Sequence, residues 1–335
     1  MFRVLFHNNC FDGACSASLF TRFHRECIGT ANEYAYTGLM HRAGEQFREA
    51  DFDGDENAIV DFKYTLSPKI TWWFDHHQSA FLSEADRKHF EQELEQTKDH
   101  PRKFFNAAYT SCTGLIADVA RERFGFDTEP YADLLHWADI IDGAKFESAD
   151  AAVGLAEPAL KLMTVIESAT DPEFIPRLIP LLTAQPLVDT LQETFVQQAL
   201  EPRLEKHNRD ITLLRSRAAE DRGVITFDIT DQPTEGYSKF IPYYLLPEAV
   251  YVVGLSKSSF RTKISVGTNP WTTVPAEHLA NIAAICERYG GGGHPRVGAI
   301  SVPVDQVDEA KRIAAEVTME LKALGQRNRL PTDPA

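Results

Sequence analysis

Paired cysteines are missing from this sequence. The five present, Cys10, Cys15, Cys27, Cys112 and Cys286, are odd in number, scattered, and never in the CxxC spacing of a structural zinc site, so they read as reduced thiols. Long apolar runs are missing too: nothing approaches the roughly 20 residues that cross a bilayer, and the opening MFRVLFHNNCFDG turns polar too soon for a signal peptide. A cytoplasmic protein with no membrane partner is therefore expected. Positive charge is scarce, with 34 Lys and Arg against 49 Asp and Glu and a net charge of −15. That balance argues against a protein that grips long duplex nucleic acid through many phosphate contacts, although a local basic groove stays open. A small or short anionic substrate fits better, because bound cations can offset local carboxylates. There is no internal repeat and no low-complexity tract beyond the polar tail QRNRLPTDPA, which is expected to fray.

With 335 residues, 43% of them hydrophobic, the chain can bury a large core, and its length favours two domains. FRVLF is a short β-leaning run that stops at a polar cluster, and GACSASLFTRFHREC behind it has the small and apolar spacing of a buried helix. The apolar run of AIVDF ends on Asp61 and that of ITWWF on Asp75-His76-His77, so three strands deliver acidic or imidazole groups at their C-terminal ends. Strands alternating with helices imply a parallel sheet with helices on both faces, and such sheets bind ligands outside the carboxyl ends of their strands. Residues 82–103 read as an exposed helix and loop, and YTSCTGLIADVARERFG as a buried helix. Residues 128–220 read as mostly helical, punctuated by Pro176, Pro180, Pro186 and Pro202. Beyond them GVITFDI, AVYVVGLS and RTKISVG are β-like, HLANIAAICERYG is helical, and a last helix is expected over about 307–324. The fold class is thus α/β: an N-terminal parallel-sheet domain over 1–190, a helical connector over 191–220 and a smaller C-terminal α/β domain over 221–328.

A carboxylate beside two imidazoles at a strand end, as in Asp75-His76-His77, can supply ligands to a divalent metal and still keep one imidazole for a substrate. Three polar residues after WWF also suit a capped turn. In ADIIDGAKF, Asp139 and Asp142 are three apart and share one face of a helix, so a structural helix end stands beside ligation. The run Gly290-Gly291-Gly292-Gly293-His294 lets the backbone approach a ligand and aim amides at an anion, with His294 adding a donor or a cation. A flexible surface turn is the other reading. Arg261, Lys263 and Arg296 lie in or beside the β-like segments, as phosphate contacts or as solvated charges. The acidic DFDGDE at 51–56 lacks the glutamate that a calcium loop needs at its twelfth position, where Phe62 stands. Trp72 and Trp73 belong in the core or a site wall. His24, His41, His89, His100, His136, His207 and His278 stand apart from the motifs and are assigned nothing.

In combination these motifs resemble the DHH phosphoesterase superfamily, and the resemblance spans nearly the whole chain. His7…Asp12-Gly13, Asp61, Asp75-His76-His77 and Asp142 occur in the family's order, and Gly290–His294 followed by Pro-Arg-Val-Gly-Ala is similar to the glycine-histidine signature of the DHH-associated substrate domain. The resemblance implies that His7, Asp12, Asp61, His76 and Asp142 are metal ligands, Asp61 bridging two ions. It implies that His77 touches substrate and that Asp75 ligates or orients its neighbour. Gly291, Gly292, Gly293 and His294, with Arg261, would hold the substrate phosphate, and Asp142 rather than Asp139 matches the motif. Two cations about 3.5–4 Å apart can generate a hydroxide and stabilise charge on both attacking and leaving oxygens. Mixed Asp and His ligation suits Mn²⁺, with Mg²⁺ or Co²⁺ as substitutes. One departure stands out: where many members have an aspartate two residues before the equivalent of Asp12, this chain has Cys10, either a softer ligand near the metal or a buried structural thiol. Asn8 or Asn9 could donate an amide oxygen instead.

The function implied is metal-dependent hydrolysis of phosphodiesters, exonuclease-like, on short oligonucleotides or small nucleotides that enter a cleft between domains. A homodimer is possible. One alternative is an inorganic pyrophosphatase or polyphosphatase, which the same two-metal chemistry serves; another is a nucleotide-binding sensor impaired in catalysis by Cys10.

Overall fold

The computed structural model describes residues 1–329 apart from 30, 32, 43, 44 and 235. The chain divides into two compact units, Met1–Phe146 with Leu155–Arg203, and Glu147–Gly154 with the chain from Leu204 onward.

The first unit opens with β1 (Phe2–His7), α1 (Phe11–Phe23), β2 (Tyr34–Leu39), β3 (Glu56–Val60) and β4 (Ile70–Asp75). It continues with α2 (Glu84–Gln96), β5 (Lys103–Phe105), α3 (Cys112–Phe124) and α4 (Ala132–Asp142). The five strands form one all-parallel sheet in the order β2-β1-β3-β4-β5. Successive side chains on a strand face opposite ways. Trp72 and Phe74 therefore meet Phe20 of α1, while Trp73 meets Tyr64 and Phe90 on the other face. Both tryptophans are buried in the core, as expected. Twelve of the thirteen residues of α1 are buried; its Gly13, Ala14, Ser16, Ala17 and Ser18 are small enough to let it lie between β1 and the helices α3, α4 and α7.

Then come α5 (Ala149–Gly154), which belongs to the second unit, and α6 (Pro158–Glu167), α7 (Phe174–Leu182) and α8 (Leu187–Gln192) of the first. The long α9 (Thr194–Arg217) runs from the first unit into the second. Pro180 and Pro202 lie inside α7 and α9, not between helices as a breaker would. The second unit adds β6 (Ala219–Asp221), β7 (Val224–Asp228), α10 (Ile241–Leu245), β8 (Tyr251–Lys257) and β9 (Arg261–Thr268). It ends with α11 (Ile282–Glu287), β10 (Gly292–His294), β11 (Val297–Pro303) and α12 (Val307–Arg329). Its six strands run β10-β11-β9-β8-β7-β6, with only β7 and β8 parallel. β8 is covered on both faces, Val253 and Leu255 packing with α11 and α12, and Val252 with Phe227 and Tyr243. The helix expected over HLANIAAICERYG is only the six residues of α11, started by the Asn281 side chain accepting from the Ala284 amide at 3.2 Å. The last helix runs on to Arg329, into the tail expected to fray, whose residues 330–335 lie outside those described. No helix among the described residues is long and apolar enough to cross a membrane.

Candidate metal centre

Parallel pairing sets the site. Phe6 pairs with Val60 and Val60 with Phe74, so the next residues, His7, Asp61 and Asp75, stand in a row across the carboxyl ends of three adjacent strands, about 4.8 Å from strand to strand. Asp61 adopts φ 57°, a left-handed conformation that a non-glycine residue holds at a cost of about 1–3 kcal/mol. Its N–H still reaches the Phe74 carbonyl at 2.9 Å, so the twist re-aims the carboxylate without leaving the sheet.

Two helix ends bring the remaining acids. Asp12, in the first turn of α1, accepts from the backbone N–H groups of Cys112 (2.7 Å) and Thr113 (3.0 Å) at the start of α3, and from the Thr113 hydroxyl at 2.5 Å. Gly13 follows because any Cβ there would strike the His7 carbonyl. Asp142 is the last residue of α4, its side chain a quarter exposed. Asp139, one turn earlier, accepts from the Ser111 hydroxyl at 2.6 Å, and that same oxygen caps α3 by accepting from Gly114 N–H at 3.0 Å. Asp139 thus ties α4 to α3 and fixes where Asp142 projects.

The imidazoles are aimed by their other nitrogens. His76 Nδ1 lies 3.1 Å from the Tyr109 carbonyl, which turns Nε2 inward, 3.5 Å from Asp61, 3.5 Å from Asp142 and 3.8 Å from Asp12. Asp75 Oδ1 accepts from the backbone N–H groups of His76 and His77 and lies 2.7 Å from His77 Nδ1, orienting the more exposed ring. His7 Nδ1 lies 3.4 Å from Asp61.

The electrostatics follow from crowding. Burial, then Asp61 and Asp142, push the Asp12 carboxyl well above its usual range, and burial with Asp61 also raises Asp142. Burial opposes ionisation of Asp61 as well, but the surrounding imidazoles of His7, His76 and His77 outweigh it and hold Asp61 at about 2. Burial pulls His76 down, yet Asp61 and Asp12 overcome it and lift His76 to about 10; Asp75 raises His77. Protons thus neutralise a cluster that a cation would neutralise better. Of nine buried side-chain N and O atoms without a hydrogen-bond partner among the described residues, five are here: His7 Nδ1, both Asp61 oxygens, Asp75 Oδ2 and His76 Nε2. Orphaned lone pairs on carboxylates and imidazoles suit divalent cations.

Three sets of ligand atoms lie within 4.8 Å of one another: His7, Cys10 and Asp61; Asp61, His76 and His77; Asp12, His76 and Asp142. All five residues implied as ligands meet here. Asn9 is engaged elsewhere, its amide donating to the carbonyls of Ile166 (3.2 Å) and Ala169 (2.8 Å) while its oxygen accepts from Asn8 at 2.9 Å. His41, assigned nothing from sequence, meets the His7 ring edge-on at 5.0 Å and stacks on Phe62 at 4.8 Å. It lies two residues beyond β2, a half-buried strand without clean alternation, so the one available signal was a His just beyond a hidden strand end.

In the second unit the glycine run is structured. Gly290 and Gly291 N–H groups bond the Glu287 and Cys286 carbonyls at 3.1 and 2.9 Å, and β10 pairs antiparallel with β11, Gly293 opposite Gly298. Gly293 has φ 154°, and a Cβ there would strike the Val297 carbonyl. His294 and Arg296 are exposed at the turn. Arg261 is not brought to them: it pairs with Pro303, at the far end of β11 from Val297, the partner of His294, six residues or about 20 Å away.

No protein family and no curated protein matches the sequence. Solved structures do match. A pGpG-specific phosphodiesterase, PggH from Vibrio cholerae, is 15% identical with a TM-score of 0.64, over 95% of this chain and 99% of that one. A DHH domain described as a member of the s1p family of ribosomal proteins is 15% identical with a TM-score of 0.53, over 95% of this chain and 86% of that one. An exopolyphosphatase-related protein from Bacteroides fragilis is 14% identical with a TM-score of 0.51, over 97% and 93%. At these identities what is shared is the fold.

Proposed function

Since the chain has the DHH fold, we propose that it is a metal-dependent phosphoesterase that hydrolyses phosphodiester bonds of short oligonucleotides or small nucleotides. The reading rests above all on the cluster of His7, Asp12, Asp61, His76 and Asp142 at the strand ends, with its partnerless buried atoms. These residues would hold two divalent ions, Mn²⁺ first and Mg²⁺ or Co²⁺ as substitutes, and Asp61 would serve both. Bound there, the cations supply positive charge against the phosphate and make water easier to ionise. Asp75 orients His77, whose side chain is 37% exposed against 8% for His76, so His77 is the imidazole left for substrate. Gly291, Gly292, Gly293 and His294 would meet a substrate phosphate. Arg296, in the turn of the same hairpin, takes the part first given to Arg261. The pGpG specificity of the Vibrio cholerae phosphodiesterase favours a substrate of dinucleotide size.

The test is release of mononucleotide from a labelled short RNA by the purified protein with Mn²⁺, beside Asp61→Ala and His76→Ala and a parallel pyrophosphate assay. Metal-dependent nucleotide release that both substitutions abolish supports the proposal. Phosphate from pyrophosphate alone would replace it with the phosphoanhydride reading, which the exopolyphosphatase-related neighbour also suggests. Silence on both would favour a nucleotide-binding sensor.

A further inference from the structure

The two halves of the cluster are chemically unlike. His7, Cys10 and Asp61 offer nitrogen, sulfur and oxygen atoms within 4.8 Å of one another, whereas Asp12, His76 and Asp142 offer only nitrogen and oxygen at the same separation. Ligands of one tetrahedral ion, at bond lengths of about 2.0–2.3 Å, lie about 3.3–3.8 Å apart, so small side-chain rotations close either set.

Cys10 occupies the N-cap of α1, its Sγ accepting from Gly13 N–H at 3.5 Å. Capping does not explain the residue. Sulfur is a weak acceptor, and Asp, Asn, Ser or Thr would cap the helix better. Cys10 Sγ lies within 4.8 Å of ligand atoms of His7 and Asp61, and His7 Nδ1 and both Asp61 oxygens are buried with no hydrogen-bond partner among the described residues.

We infer that Cys10 is a thiolate ligand of the His7–Asp61 subsite, and that this subsite takes Zn²⁺ or Co²⁺ ahead of Mg²⁺ and Mn²⁺, while the Asp12–His76–Asp142 subsite takes Mn²⁺ or Mg²⁺. Thiolate suits the softer ions, and carboxylate and water suit the harder ones. On binding, the Cys10 S–H bond breaks, its electron pair forms the sulfur–metal bond, and one proton leaves to solvent. The inference rests on the metal-centre reading but not on hydrolysis.

The experiment is a Co²⁺ titration of the purified full-length protein, followed by absorbance. A sulfur-to-cobalt charge-transfer band in the near ultraviolet that saturates at one equivalent is expected, lost in Cys10→Ser and in Cys10→Asp. Zn²⁺ affinity, measured against a chromophoric chelator, should fall at least about 10-fold in Cys10→Ser, and Cys10→Asp should shift preference toward Mg²⁺. Because Ser is the better cap and adds no charge, metal-free Cys10→Ser should melt at or above wild type, which separates loss of the band from loss of the fold. A band that survives Cys10→Ser, or a wild type that binds cobalt without one, overturns the inference. No cobalt binding at all overturns it together with the metal centre. A thiolate band in a protein inactive on RNA and pyrophosphate would leave the inference standing and remove only the hydrolase.

Discussion

The first unit holds two clusters that each combine carboxylate with imidazole, and they differ in whether the polar groups are satisfied. On the α2 side of the sheet, Tyr64 Oη donates to Glu93 at 2.8 Å and lies 2.9 Å from His89 Nδ1, and Lys103 donates to the same Glu93 oxygen at 2.7 Å. Each of those groups has a partner, and the result is a brace between α2 and β5. At the carboxyl ends of the strands the carboxylates crowd together, Asp61 is twisted into a left-handed conformation, and five buried atoms have no hydrogen-bond partner among the described residues. Buried polar groups cost free energy when unpaired, so a fold that keeps them unpaired in one place and pairs them in another marks the first place as the one reserved for something else.

Substitutions on each side put this contrast at greatest risk. Asp61→Asn should lower hydrolysis by about three orders of magnitude or more, since a cation's charge stabilisation amounts to several kcal/mol. It should change metal-free stability little, because Asn tolerates the positive φ and the lost pairing with His7 and His76 is offset by removal of a buried charge. Glu93→Gln should do the reverse, costing about 1–3 kcal/mol in denaturant unfolding, with activity unchanged. Metal should act in the same split: Mn²⁺ at a hundred times its Kd should stabilise wild type and Glu93→Gln by about 2.7 kcal/mol per site, and Asp61→Asn by much less.

Acidity should divide the two clusters further. Burial lowers His76, but Asp61 and Asp12 outweigh it and hold it at about 10 in the metal-free cluster, against about 6.5 unfolded. A raised folded value gives stability that is complete below pH ~6.5 and lost as pH rises through about 10. Metal-free protein should therefore weaken across that window. Mn²⁺ displaces the same proton, so its affinity should rise by about tenfold per pH unit there, measured by competition with a chelator. The smallest effect is expected at Ser111→Ala: about 1 kcal/mol from the lost cap, and a roughly tenfold loss of activity as Asp139 releases α4 and Asp142 drifts.

Much of the site is legible in the sequence because apolar runs that stop on polar residues report strand ends. His7, Asp61 and Asp75 can be read in this way, and the parallel sheet then brings them together. What cannot be read is whatever depends on register or on weak strands. β2, YAYTGL, is only half-buried and has no clean inward–outward alternation, and β5 is three residues long; both are too weakly patterned to read, and His41 goes unseen with β2. Arg261 and His294 look like neighbours in composition, but antiparallel pairing sends them to opposite ends of β11. The tie from Ser111 to Asp139 spans 28 residues and exists only once α3 and α4 are packed.

The most direct measurement is Mn²⁺ uptake followed by the paramagnetic resonance signal of the free ion, in wild type, Asp61→Asn and His76→Ala. Wild type should withdraw Mn²⁺ from solution and both variants should not. Equal uptake by all three, or none by wild type, would mean that the cluster of His7, Asp12, Asp61, His76 and Asp142 is not a metal centre.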